Sequence, residues 1–369
     1  MNPSQEKQKG RKQSQRKVSA TSTQTVEDLP QYPAQPFKNK DFSLKFFNLM
    51  VRTRVLEEKL IKMAKSQDGF FWIGGPGEEA FNVALGLQVK KGPGPLYDYL
   101  HLHYRSNGCV LAMGAPMVDF VRQMKCSSAD PYSGGRNFVS HIAKRDWNIV
   151  PVTSTIGTQF SVAPGTARAQ MNLRRENPNA GITMVVGGDA GTAEGDFATA
   201  LIWASRPGEE LPLLMIVTNN QYGISTPAET QHGEKNISDR AKAFGIKTAV
   251  IEGNQPEKAW TGIRSAMEYV RESGKPFVLE ARVSRLYGHS SSSGANRIEE
   301  ECPIENMQKK LIKLGWITEG EIRACYDEAS RAANEALDVA RKDPQPDPNT
   351  IYDHSFSGNG KSGLPGRDC

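Results

Sequence analysis

The stretch Ile182-Thr183-Met184-Val185-Val186-Gly187-Gly188-Asp189-Ala190-Gly191-Thr192-Ala193-Glu194-Gly195-Asp196 decides how this chain is read. It opens on a short apolar run, Ile182–Val186, which suits a strand buried on both faces. A glycine-rich turn carrying Asp189 follows, and Asp196–Ser205 has the pattern of a helix. A second apolar run, Leu213–Val217, ends in Thr218-Asn219-Asn220-Gln221-Tyr222. Beyond it, Ser238–Phe244 and Glu257–Arg271 are predicted helices, and Thr248–Ile251 and Phe277–Val283 predicted strands. Strands alternating with helices imply an α/β fold, a mostly parallel sheet with helices on both faces.

Ligands of such a sheet sit beyond the carboxyl ends of its strands. Asp189 and Asn220 then face one crevice from two strand ends. A carboxylate and an amide oxygen are hard donors suited to magnesium, which commonly takes its remaining oxygens from water and a bound phosphate. The glycines let backbone approach that phosphate, and the next helix turns its positive end toward it. The dinucleotide fingerprint GxGxxG and the P-loop pattern GxxxxGK[ST] are both absent. The plainer reading is a glycine turn in which Asp189 caps a helix. The Asn219-Asn220 pair after the next strand weighs against it.

Outward from this centre, Leu44, Phe47, Val51, Val55, Leu60 and Met63 recur near the helical period from Asp41 onward, and Gly69 ends that helix. Gly74-Gly75-Pro76-Gly77 is a turn, and Glu78–Val89 a second helix. Leu96–Leu100 resembles a strand. Two amphipathic helices close the folded part, near Ile304–Leu314 and Glu319–Arg341. Residues 1–40 are polar and Ser-rich and are expected to form a disordered basic tail. The domain is expected to span 41–345, with a frayed tail over 346–369.

The 369 residues carry a net charge of +5, and all of it lies in residues 1–25, where six Lys and Arg face Glu6 alone. The remainder is neutral, so the charge is no argument for nucleic-acid binding. No run is apolar for long enough to span a membrane. The five cysteines are scattered without a CxxC pair, which argues against a disulfide framework or zinc site and fits a reducing compartment. The tail is basic and Ser-rich but lacks the apolar face of an organellar transit peptide, so a cytoplasmic location is expected in preference to a mitochondrial one.

Gly188-Asp189-Ala190 with Asn219-Asn220, and the fuller strings Glu194-Gly195-Asp196-Phe197 and Gln221-Tyr222-Gly223-Ile224-Ser225-Thr226, resemble the thiamine-diphosphate-dependent 2-oxoacid dehydrogenase alpha subunits. The resemblance runs from about Phe42 to about Ile317 and implies the thiamine-diphosphate-binding fold. It implies magnesium on Asp189, Asn220 and the carbonyl of Tyr222, with Gly188, Ala190 and Gly191 along the diphosphate. It places further cofactor contacts on Tyr104, Arg105, Ser154 and Ile156, and a catalytic, cofactor-facing histidine at His289. The branched-chain members add a potassium site, which falls here on Thr153, Thr158 and Gln159. Gly135-Arg136 through His141 also resembles those members; no chemical role attaches to His141. Ser290–Ser293 lie in a loop that is phosphorylated in some relatives.

Ala190 stands where the signature has glycine. If the position required positive φ, alanine would be disfavoured by about 1 kcal/mol, and Gly191 would have to absorb the turn. After His289, Ser292-Ser293-Gly294-Ala295-Asn296-Arg297 replaces the family's paired Asp and later Tyr-Arg, which bears on the ordering of this loop.

Thiamine catalysis also needs a carboxylate against the cofactor's pyrimidine ring, and only the diphosphate half is found here. By the resemblance a beta subunit supplies the other half in an alpha2-beta2 heterotetramer. The acyl product of a small, branched-chain 2-oxoacid then passes to the lipoyl domain of an acyltransferase core. The alternatives are a pyruvate or acetoin dehydrogenase alpha subunit, and a non-catalytic scaffold of the same fold.

Overall fold

In the computed structural model, residues 30–351 and 353 are described. The chain order is α1 (Lys40–Lys65), α2 (Glu79–Gln88), β1 (Tyr99–His101), α3 (Asn107–Ala112), α4 (Met117–Met124), α5 (Thr158–Arg174), β2 (Thr183–Gly188) and α6 (Gly195–Ala204). It continues through β3 (Leu213–Asn219), the short strands β4 (Tyr222–Gly223) and β5 (Thr226–Pro227), β6 (Lys247–Glu252), α7 (Pro256–Ser273), β7 (Phe277–Arg282), α8 (Pro303–Lys313) and α9 (Glu319–Ala340).

Five strands form one sheet in the order β1-β2-β3-β7-β6, and every pairing in it is parallel. The alternation along each strand sorts side chains onto two cores. Met184 and Val186 of β2, Leu214 and Ile216 of β3, and Leu279 of β7 face the larger core, with α1, α2, α7 and α9. Val185, Met215, Val217 and Val278 face a smaller one, closed by Phe160 and Ala163 of α5 and Phe197, Ala200 and Leu201 of α6. Both faces of the sheet are thus covered, as the continuous apolar runs require.

Local chemistry sets the helix ends. Asn39 caps α1 by accepting from the Phe42 N–H at 2.8 Å. Pro303 occupies the first position of α8, and Thr318 with Glu321 forms a capping box on α9. The turn at Gly77 depends on glycine: φ is +110°, and a Cβ would lie 2.4 Å from the Ser284 carbonyl oxygen.

Several expectations are revised. β2 runs to Gly188, so Gly187 and Gly188 pair with Val217 and Thr218 inside the sheet. The segment after Asn236 is a 3-10 helix, Ile237–Phe244. The short α3 and α4 have no counterpart in the sequence reading. Packing begins before Asp41: Phe37 is buried, and Tyr32 meets Trp260 edge-to-face with centroids 4.9 Å apart. At the other end Pro348–Thr350 forms a 3-10 turn inside the expected tail, and the Thr350 carbonyl accepts from Arg136 Nη2 at 3.3 Å. The remaining expectations for the tails, over 1–29 and 354–369, lie outside the described residues. No helix among the described residues is long and apolar enough to cross a membrane.

Candidate active site

The carboxyl ends of β2 and β3 open into a cleft of about 400 Å³. Parallel pairing of Gly188 with Thr218 aligns the two ends, so Asp189 and Asn220 reach the cleft side by side. Asp189 is 2% exposed, and its Oδ2 is buried without a hydrogen-bond partner. Burial pushes this carboxyl up to about 6, against the pull of the Ala190 N–H. Asn220 is buried too, and its Oδ1 accepts from the Tyr222 N–H at 3.1 Å. Beyond β3 the chain turns back at Gln221 and Ile224, both at positive φ, to form the β4–β5 hairpin. The hairpin lies against the glycine turn so closely that a Cβ at Gly223 would sit 2.6 Å from the Ala190 Cβ.

Ala190 and Gly191 belong to a 3-10 turn, Ala190–Ala193, and neither has positive φ. The position tolerates a Cβ, so the replacement of glycine brings no backbone strain.

Tyr104 and Arg105 follow β1 and line the same cleft. Arg105 is 4% exposed. It donates from Nη1 to the Gly74 carbonyl at 2.6 Å and from Nη2 to His289 Nδ1 at 3.1 Å. Its Nε stands 3.9 Å from Oε1 of Glu78, a buried carboxyl at the start of α2. Burial pushes Glu78 up to about 8 and outweighs the Arg105 charge, so at neutral pH this contact is mostly not an ion pair. Because the guanidinium always donates, it holds His289 Nδ1 as an acceptor and leaves the ring proton on Nε2. Burial, then the charges of Arg105 and Arg285, lower His289 to about 4, so its imidazole is neutral.

Thr153, Ile156 and Gln159 line the cleft opposite the glycine turn. Gln159 donates to the Val186 carbonyl at 3.1 Å, while its Oε1 is buried without a partner. The Thr158 hydroxyl donates to the Thr155 carbonyl at 2.8 Å, and the Thr153 hydroxyl accepts from Thr155 N at 3.0 Å. Neither Ser154 nor Thr158 lines the cleft. Instead the Ser154 hydroxyl meets His141 Nε2 at 2.5 Å, and His141 Nδ1 lies 3.0 Å from the Val139 carbonyl. That pairing gives His141 a place beside the site, which its motif alone did not reveal.

The loop after His289 is ordered by its serines. Ser290 N donates to Ser293 Oγ at 3.0 Å, Ser291 N to the Trp72 carbonyl at 2.8 Å, and Trp72 N to Ser291 Oγ at 3.2 Å. The order of this loop thus rests on hydroxyl and backbone hydrogen bonds.

Three neighbours escaped the sequence reading. His103 lines the cleft beside Gly188. Glu78 backs Arg105. Arg285 lies over the Tyr222 ring at 5.0 Å and donates to the Ile224 carbonyl at 2.7 Å, which fastens the hairpin. The only local signal was His103's place next to Tyr104-Arg105.

The donor set suits a magnesium-bound diphosphate: one carboxylate and one amide oxygen at adjacent strand ends, an orphaned carboxylate oxygen, backbone without bulk, and an arginine. Among the described residues no three His, Cys, Asp or Glu side chains could hold a metal together. A phosphate-bridged magnesium needs no such group.

The fold and the cleft together define a parallel α/β protein with a cleft at its strand ends, suited to a diphosphate. A model of the dehydrogenase E1 component matches residues 47–349, most of the chain, and the chain belongs to that family of thiamine-diphosphate-dependent 2-oxoacid dehydrogenase alpha subunits. It is 28% identical over 320 residues to the 2-oxoisovalerate dehydrogenase subunit alpha of Bacillus subtilis, covering 84% of this chain and 94% of the relative. To the pyruvate dehydrogenase E1 component subunit alpha of Rhizobium meliloti it is 27% identical, over 85% of this chain and 90% of the relative. To the human mitochondrial 2-oxoisovalerate dehydrogenase subunit alpha it is 25% identical, over 86% and 71%.

Proposed function

We propose that this cleft holds the diphosphate of thiamine diphosphate through magnesium, and that the chain serves the oxidative decarboxylation of a branched-chain 2-oxoacid. The observation that carries the reading is Asp189: a buried carboxylate with one oxygen unpaired, beside Asn220, at the ends of two central strands. Such a group is costly unless a cation completes it.

Asp189, Asn220 and the Tyr222 carbonyl offer magnesium three hard oxygens, and the amide oxygen of Asn220 keeps a second lone pair for it. Gly188, Ala190 and Gly191 present backbone to the diphosphate. Arg105 keeps N–H donors beyond those given to Gly74 and His289 that would serve phosphate oxygens, and Tyr104 supports it. Ile156 adds an apolar wall, and Ser154 is tied through His141 to the same rim. The orphaned Oε1 of Gln159 supports a potassium ion shared with Thr153 and Thr158. Bound here, the cofactor supplies an electron sink for loss of carbon dioxide from the 2-oxoacid. His289 is the catalytic residue on this chain: its neutral ring donates from Nε2 and stabilises negative charge near the reacting carbon.

A beta subunit is assigned the pyrimidine half of the site, in an alpha2-beta2 heterotetramer that hands the acyl group to a lipoyl-bearing acyltransferase core. The branched-chain preference is supported by the 2-oxoisovalerate relatives, with pyruvate second because of the Rhizobium meliloti one. The proposed cytoplasmic location fits the free thiols Cys109, Cys126, Cys302 and Cys325, as any reducing compartment would.

Thiamine diphosphate titrated into the alpha–beta complex at millimolar magnesium tests the reading. Binding is expected, lost in Asp189→Ala and Asn220→Ala, and its absence from the unmutated complex sinks the proposal. A substrate panel of 2-oxoisovalerate, pyruvate and acetoin then ranks the acids, since a pocket separates single methylenes by only about 1–3 kcal/mol.

A further inference from the structure

His103 stands two residues past β1, 6% exposed, on the wall of the cleft that contains Asp189. Its ring lies against Tyr104 with centroids 3.8 Å apart. Nδ1 is buried and has no hydrogen-bond partner. The Cε1–Nε2 edge of the ring faces Gly188, the residue before Asp189: a Cβ there would lie 3.7 Å from His103 Cε1 and 3.9 Å from Nε2. Glycine leaves that space open.

A neutral imidazole carries one N–H, on either nitrogen. On Nδ1 it would be a buried donor with nothing to receive it, which carries the full desolvation penalty. On Nε2 it points to the open space over Gly188. That tautomer leaves Nδ1 a bare acceptor, but an oxygen in the space over Gly188 would satisfy the N–H and offset part of the cost of burying the ring. Gly188 lines the same cleft as Asp189 and Arg105, the residues that would hold a magnesium-bound diphosphate.

We infer that His103 is a further cofactor-binding residue, whose Nε2–H donates to a diphosphate oxygen lying over Gly188. The inference rests on the cleft being the diphosphate site. It separates two roles for the ring, as a donor or as a flat packing piece against Tyr104.

The test is the Kd of thiamine diphosphate, by calorimetric titration of the intact alpha–beta complex at fixed magnesium, after melting temperatures have shown that each variant folds. His103→Gln places an amide N–H near the Nε2 position; His103→Phe keeps the stacked ring and removes the donor. Gln is expected to bind within about threefold of the unmutated complex, and Phe roughly tenfold or more weaker, the loss of a hydrogen bond to a charged acceptor. Any order other than Gln binding tighter than Phe overturns the inference. Should Phe not fold, Gln is compared with His103→Asn, whose amide reaches only the Nδ1 position. Gln binding tighter than Asn then supports the donor role, and equal or reversed affinities overturn it. Asp189→Ala in the same series separates the two claims. If it binds as tightly as the unmutated complex, the diphosphate reading itself fails; if it loses binding while His103→Phe does not, only the role of His103 fails.

Discussion

At Ala190 the backbone keeps negative φ, and its Cβ packs beneath the β4–β5 hairpin at Gly223. Restoring the signature glycine therefore relieves nothing and loosens the unfolded chain. Ala190→Gly is expected to lower stability by roughly 0.5–1 kcal/mol, read as a small fall in Tm, with magnesium affinity unchanged. A tighter metal site in the glycine variant would contradict the observed backbone. His289 makes a second prediction at this scale. Its folded pKa is depressed to about 4, so the ring gains a proton only as pH falls toward that value. Its contribution to kcat is expected to stay flat from pH 5 to 8, on the scale where an unperturbed histidine would titrate near 6.5. An acidic limb centred near 6.5 that disappears in His289→Gln would refute this.

Among the elements, α1 reaches the site through Glu57. This buried carboxylate accepts from Trp72 Nε1 at 2.8 Å, Asn107 Nδ2 at 3.0 Å and Gly75 N at 3.4 Å. It thereby ties α1, α3 and the glycine turn into one frame beneath Arg105. Burial raises its pKa to about 7, despite those hydrogen bonds. The folded state therefore holds this proton more tightly than the unfolded chain, whose value is roughly 4.3. The resulting stabilisation is complete below the unfolded value and is lost as pH rises through 7. Relative to the unmutated chain, Glu57→Gln should gain in Tm between pH 5 and 8. A difference that is constant across that range would show that Glu57 does not titrate in the fold. The hairpin is the second element with a distinct part: Arg285, from the loop after β7, clamps it by stacking on Tyr222. Arg285→Ala is expected to weaken magnesium and cofactor binding while leaving the sheet intact, which titration and circular dichroism together would show.

On the scale of the molecule, several large apolar side chains stay exposed on α5, α6 and the β4–β5 hairpin. Val162 of α5 and Ile202 and Trp203 of α6 are each about half exposed (49%, 52% and 49%), and Ile224 at the hairpin tip is 60% exposed. Exposed apolar side chains of this kind suit a subunit interface on this part of the surface. The chain alone is expected to bind little cofactor and to turn over no 2-oxoacid, and activity to appear on addition of the beta subunit. Trp203→Glu should leave the Tm of the isolated chain nearly unchanged and weaken assembly, read by size-exclusion chromatography. Unimpaired assembly would place the interface elsewhere.

The sequence by itself determined the parallel α/β sheet covered on both faces and the juxtaposition of Asp189 with Asn220. Both follow from short-range physics: continuous apolar runs mark strands buried on two sides, and polar residues just past their ends face the crevice of a parallel sheet. Boundaries were less legible, as at Gly187 and Gly188, which look like loop and lie in β2, because ladder pairing with β3 is a tertiary event. Only the tertiary structure decided that Arg105 meets His289 across 184 residues, that Ser154 turns to His141, and that Glu78, Arg285 and His103 surround the cleft. No local pattern carries those contacts. They arise where chain segments distant in sequence pack together, and burial there sets which groups stay neutral and which are left needing a ligand.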